Sequence, residues 1–203
     1  VALSTARKLK DAQPNSARAL FAVGALLIVV WAISEPRRAF HGAAMAAGTP
    51  VEALEGAFYA LVFLGAALVL AELAQRNRTP FRDAAARTAA WSAIALASLL
   101  LLFAHPPWLS AAAPSDGLAM ARLLAAHFGA TALTWRLAIA LRTNAALDHT
   151  RFAAVAAAMV FAWSLGHGVV RWTHGAGPHL TGLEGFSHAL WPLGFMLVAH
   201  HVC

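Results

Sequence analysis

The chain has 203 residues, 60% hydrophobic and only 12% charged, whereas an average soluble domain is charged at about one residue in four. So little charge cannot coat a water-facing surface of this size, and blocks such as 19–34 and 155–170 lack the polar face that a soluble alanine-rich helical protein needs. The net charge of +6 comes mostly from arginines at the edges of apolar blocks, with only two lysines, so it reads as membrane topology and not as a nucleic-acid surface.

The chain opens with a basic stretch, Arg7, Lys8, Lys10 and Arg18, ahead of the first apolar run. This resembles a secretory signal, with the small residues at 43–48 as a cleavage site, but Glu35, Pro36, Arg37 and Arg38 intervene, which favours a retained first span. Six apolar segments follow in order: 19–34, 56–71, 88–104, 123–141, 152–170 and 185–202. Several fall short of the roughly 20 residues that cross a hydrocarbon core, so their helices are expected to continue into the flanks while bordering arginines snorkel outward. Arg136, inside the fourth segment, tests this reading most severely, because it must reach an interface or a polar partner. The fold class expected is an all-α polytopic transmembrane bundle of about six spans.

Eleven of the fifteen Lys and Arg residues fall on the side of the N-terminus, the 76–87 loop and the 136–151 loop. Arg37, Arg38, Arg122 and Arg171 make up the other four, and this excess places both termini in the cytoplasm. Trp31, Trp108, Trp172 and Trp191 mark the opposite interface, and the helix-breaking stretches at 48–50, 105–108, 114–117 and 175–178 all lie on that exterior side. Asp116 and Asp148 read as isolated loop acids. The single cysteine, Cys203, excludes an intrachain disulfide and a multi-cysteine metal site. A first residue that is Val, and an end that coincides with the last apolar block, suggest a processed chain or a piece of a longer one.

The sequence is similar to itself at a distance of about 130 residues. The first segment ends Arg38-Ala39-Phe40-His41-Gly42 and the fifth ends Arg171-Trp172-Thr173-His174-Gly175, both R-x-x-H-G. Leu54-Glu55-Gly56 then matches Leu183-Glu184-Gly185. The expected organisation is a basic N-terminal segment at 1–18, a four-helix unit at 19–151, and the first helix pair of a second, parallel unit at 152–203. The run Glu35, Arg37, Arg38, Phe40, His41, Gly42, followed by an acidic residue and Tyr59 opening a Leu/Gly/Ala-rich span, resembles a family of large multi-pass bacterial membrane proteins of unknown function built from tandem helix pairs. The resemblance covers chiefly 19–72, with a weaker echo at 152–201 where Gly168, Val170 and His188 replace Glu35, Arg37 and Tyr59. It implies an inner-membrane home and an architecture, and no mechanism.

Candidate chemistry concentrates on the exterior side. Arg38, His41, Arg122, Arg171 and His174 are candidates for holding an anionic group, arginine supplying a bidentate fork. The structural alternative is that the Arg and His residues cap helix C-termini and pair with Glu55 and Glu184 at the next helix, carboxylates that could otherwise act as acid or base. His127, His167 and His188 fall at similar depth on three neighbouring helices, a pattern that suits a metal or haem ligand set as well as three separate hydrogen-bonded core histidines. No cofactor is required by any motif, since no phosphate-binding glycine loop, G-x-S-x-G or H-E-x-x-H occurs. Three readings remain: a scaffold or transport-like bundle in the bacterial inner membrane, an enzyme acting on a lipid-linked anionic substrate at the periplasmic face, and a histidine-ligated redox subunit. The partners expected are the lipid bilayer, other membrane subunits or the remainder of a longer chain, and no nucleic acid.

Overall fold

The computed structural model describes residues 14–42, 51–76, 78–106, 116–141 and 148–174, together with Trp191, Gly194, Leu197 and Val198. The described residues are helical with no strand: α1 (Pro14–His41), α2 (Ala53–Arg76), α3 (Pro80–Ser98), α4 (Gly117–Ala140) and α5 (His149–His174), with α3 running on into a π-helical turn at Leu99–Ala104. Four of these stretches, Ala53–Arg76, Pro80–Ala104, Gly117–Ala140 and His149–Thr173, are long and apolar enough to cross a membrane. A helix of 24 residues rises about 36 Å, more than the hydrocarbon core needs. Each of the four extends beyond its apolar segment into the charged flanks, as the short segments required. The sixth segment, 185–202, lies almost wholly outside the described residues.

The chain divides into two compact units, Val1–Pro50 and Val51–Cys203. The first contains α1, in which Val23, Leu27, Ile28, Val29, Val30, Trp31 and Ile33 are all exposed. Pro36 sits inside this helix and withholds the N–H that would bond the carbonyl of Ala32. The helix ends where Gly42 turns left-handed at φ 60° and donates its N–H to the Arg38 carbonyl at 2.8 Å. The first R-x-x-H-G is therefore a helix C-terminus, with basic residues in its last turn and glycine supplying the positive φ.

In the second unit α2 packs on α3 and α4, and α5 packs on α4 and α3, while α3 and α4 touch only slightly, so the four helices form a square bundle. Small residues at alternating steps of three and four hold it together. On α2 the buried line is Ala57, Ala60, Leu64, Ala67, Ala71, Ala74; on α4 it is Met120, Leu123, His127, Ala130, Thr134, Leu137, Leu141. This 3.5-residue period keeps one seam turned toward its partners over the whole helix, and alanine lets the backbones approach closely. On α3 the line Ala86, Ala90, Ala93, Ala97 would miss Leu101 by one residue, and the π turn absorbs that residue and returns Leu101 to full burial.

Helix starts are set by side-chain caps. Thr79 accepts from Arg82 N–H with Pro80 behind it. Asp116 accepts from Ala119 N–H at 2.9 Å, and Asp148 from the N–H groups of Thr150 and Arg151. The two acids expected to be isolated in loops are thus helix caps, and Asp148 also pairs with Arg87 at 3.3 Å. Arg136 finds its polar partner in Glu72 at 3.4 Å, beside Gln75, whose amide donates to the Ala140 carbonyl.

Candidate polar site at one end of the bundle

Contacts between helices fix which residues share a level. α2 and α4 run in the same direction, with Leu61 against Gly129 and Glu72 against Arg136. Tyr59 and His127 are therefore level with one another on adjacent helices. α3 runs opposite to α2, bringing Leu100 and His105 beside Gly56. α5 runs with α3, as the Arg87–Asp148 pair requires, so Ser164 and His167 lie toward the end of the bundle that carries Glu55. The buried polar residues Glu55, Tyr59, His127, Ser164 and His167 thus gather in the half of the bundle away from that ion pair.

Glu55 is fully buried although it stands only two residues inside α2. One carboxylate oxygen accepts the Tyr59 hydroxyl at 2.8 Å and the other the Glu52 N–H at 3.3 Å. The i, i+4 spacing puts Tyr59 one turn below the acid, and the backbone bond closes the exposed start of the helix in the manner of a capping box. His105, just past the π turn, places Nε2 2.9 Å from the Val51 carbonyl and so ties the end of α3 to the segment leading into α2. Glu55 thus accepts from the backbone N–H just ahead of its helix and from a phenol one turn along it.

His127 is buried with Nδ1 2.9 Å from the Leu123 carbonyl and Nε2 3.3 Å from the Leu101 carbonyl. Leu101 belongs to the π turn, whose altered bonding leaves a carbonyl within reach of the neighbouring helix. Both ring nitrogens therefore face carbonyl oxygens, one of which accepts the single N–H of the neutral ring, and neither nitrogen is turned toward open space. His167 packs edge-on against Trp163, ring centres 4.8 Å apart. The fully buried Ser164 hydroxyl has no hydrogen-bond partner among the described residues.

Other candidates are placed separately. Arg38 is exposed and His41 half-buried in the first unit, Arg122 is exposed on α4, and Arg171 is half-buried near the end of α5. The side chain of His174 lies outside the described residues, as do Glu184 and His188. Among the described residues no group of three or more His, Cys, Asp or Glu side chains is arranged to hold a metal ion. Tyr59 as the partner of Glu55 was the main feature that a reading of charges alone passes over, though its i, i+4 spacing is visible in the sequence. Compared with known proteins, no family model matches the chain, and no curated protein or solved structure matches it.

Proposed function

We propose that the chain is a membrane-integral scaffold, a closed helix bundle that holds its place in a bacterial inner membrane and organises other parts of a larger envelope assembly. One observation carries this reading: the interior of α2–α5 is filled by interlocking alanines and larger apolar side chains, and of its buried polar groups Glu55, His127 and Thr134 hydrogen-bond to a neighbouring side chain or to the backbone. Ala60, Leu64, Ala90, Leu101, Leu123, Ala130, Thr134, Leu137 and Phe161 are all fully buried along the bundle. Glu55 accepts from Tyr59, His127 donates its N–H to one of the two carbonyls its ring faces, and Thr134 donates to the Ala130 carbonyl. A transport path would need polar groups turned toward a water-filled route. The exterior suits lipid, with Phe103 75% exposed and Phe128 64% exposed on the outside of the four-helix unit.

In this reading α1 and segment 185–202 also span, giving six spans with both termini in the cytoplasm and the Glu55 end of the bundle outside. The exposed apolar side of α1 supports its part in this. The repeat of a four-helix unit and the resemblance to the tandem helix-pair family belong to the same proposal. Their shared motif ends α1 as a C-terminal cap, which favours a structural role for R-x-x-H-G over an anion site.

The test uses single cysteines at Ala67 and Thr134 in a Cys203→Ser background, in sealed membrane vesicles treated from either side with a small water-soluble thiol reagent. The scaffold reading expects no modification at either position from either side. Modification of Thr134→Cys from one side would replace it with the transport-like reading.

A further inference from the structure

We infer that the flank of α5 formed by Val155, Met159 and Ala162 is the docking seam for a further helix of this chain, the segment 185–202, laid antiparallel along it through Trp191, Gly194 and Val198. The inference rests on the reading of 185–202 as a sixth span. Ala154, Phe161, Ser164 and Gly168 form one buried line along α5, at the 3- and 4-residue steps of a helix seam. Val155 and Met159 lie about 100° or more round the helix from that line. They are buried as well, at 6% and 9% exposure.

One neighbour on this flank is Gly194. A Cβ placed on it would stand 3.9 Å from the Met159 Cε, so the backbone there runs close beside α5. Trp191, Gly194, Leu197 and Val198 are helical. Trp191 and Val198 are partly buried and pack against the core to which Val155 and Met159 belong, while Leu197 is 64% exposed. Positions 191, 194 and 198 share one helical face, as 155, 159 and 162 do on α5, each at the spacing that keeps a seam turned toward a partner. The chain leaves α5 at His174 and is level with Met159 again at Gly194, which is the course of a returning, antiparallel helix. With Gly194 opposite Met159, that course sets Trp191 opposite Ala162 and Val198 opposite Val155. The two largest side chains, Trp191 and Met159, thus each meet a small residue on the other helix, the complementarity by which helices pack closely within a membrane.

Cysteine pairs would be placed in the full chain, in a Cys203→Ser background, and oxidised with copper phenanthroline in membranes of an expressing bacterium. After denaturation the remaining free thiols would be counted by gel shift with a polyethylene-glycol maleimide. Met159→Cys with Gly194→Cys, and Ala162→Cys with Trp191→Cys, are each expected to lose both thiols within one chain. Val155→Cys with Trp191→Cys, on the same two seams but about 10 Å out of register, should keep both. Retention of both thiols by the first two pairs, or an equal loss in the out-of-register pair, would overturn the docking. Cross-linked dimers in place of internal bridges would overturn it in favour of a second copy on the seam. Extraction of the chain from membranes by alkaline washing would instead defeat the membrane reading, so the two failures are distinguishable.

Discussion

Replacing Tyr59 with Phe removes a single hydroxyl and leaves the ring to fill its buried place. What is lost is the 2.8 Å hydrogen bond to a carboxylate that has no exposure of its own. Hydrogen bonds to charged groups contribute about 1.5–3 kcal/mol, and the cost approaches the upper figure when the abandoned partner stays buried. For a unit of this size each kcal/mol moves the unfolding midpoint by about 2–4 °C, so a fall of about 3–12 °C is expected. The measurement is the apparent unfolding midpoint of the purified protein in detergent, for wild type, Tyr59→Phe, Glu55→Gln and the double variant. Because both residues serve one bond, the double variant should lose clearly less than the sum of the singles. A Tyr59→Phe midpoint equal to wild type, or strictly additive losses, would show that the pair does not hold the start of α2.

Three further substitutions probe other parts of the structure. Ser164→Ala removes a buried hydroxyl that has no partner among the described residues and adds one more alanine to a small-residue seam, so it should raise the midpoint; a lowered midpoint would mean that the hydroxyl is satisfied. Phe161→Ala empties the largest fully buried side chain and should cost about 3–5 kcal/mol by the same unfolding assay, with a loss under about 1 kcal/mol showing that the core is not closed there. Gly42→Ala forces a side chain into a left-handed position at φ 60°, and should cost about 1 kcal/mol and fray the end of α1, seen as faster amide exchange at residues 38–42; unchanged exchange would refute the cap.

Four of the six expected spans are helices long and apolar enough to cross a membrane, and these were legible because such helices need apolar blocks, which survive in one dimension. Their ends were not, because reading from charge to charge stops too early. α4 begins at Gly117, six residues before the apolar segment, because Asp116 caps it. That signal was present, since an acid three residues ahead of a helical N–H is a common start, yet the acid looks like an isolated loop residue until the helix is seen. The seams were hidden for a different reason. Ala60, Ala67, Ala71 and Ala90 are no more apolar than the residues on the outside, so the inward face differs in size and not in hydrophobicity, and only spacing at 3.5 residues betrays it. Arg136 with Glu72 depends on a packing between helices 64 residues apart, which no local pattern specifies. Of the polar site, Glu55 and His127 were both picked out in the sequence. Tyr59, the partner of Glu55, stands at a visible i, i+4 spacing, whereas the surroundings of His127 were hidden, because a π turn and two backbone carbonyls leave no mark in residue identity.

In the proposed scaffold, opposite ends of one bundle are expected to face opposite sides of a membrane. Two single cysteines report this, Gly117→Cys at the start of α4 and Arg76→Cys at the end of α2, each exposed and each in a Cys203→Ser background. Spheroplasts of an expressing bacterium would be treated with a membrane-impermeant maleimide before and after permeabilisation. The account predicts that Gly117→Cys is labelled in intact spheroplasts and Arg76→Cys only after permeabilisation. Labelling of both in intact spheroplasts, or of Arg76→Cys alone, would contradict it.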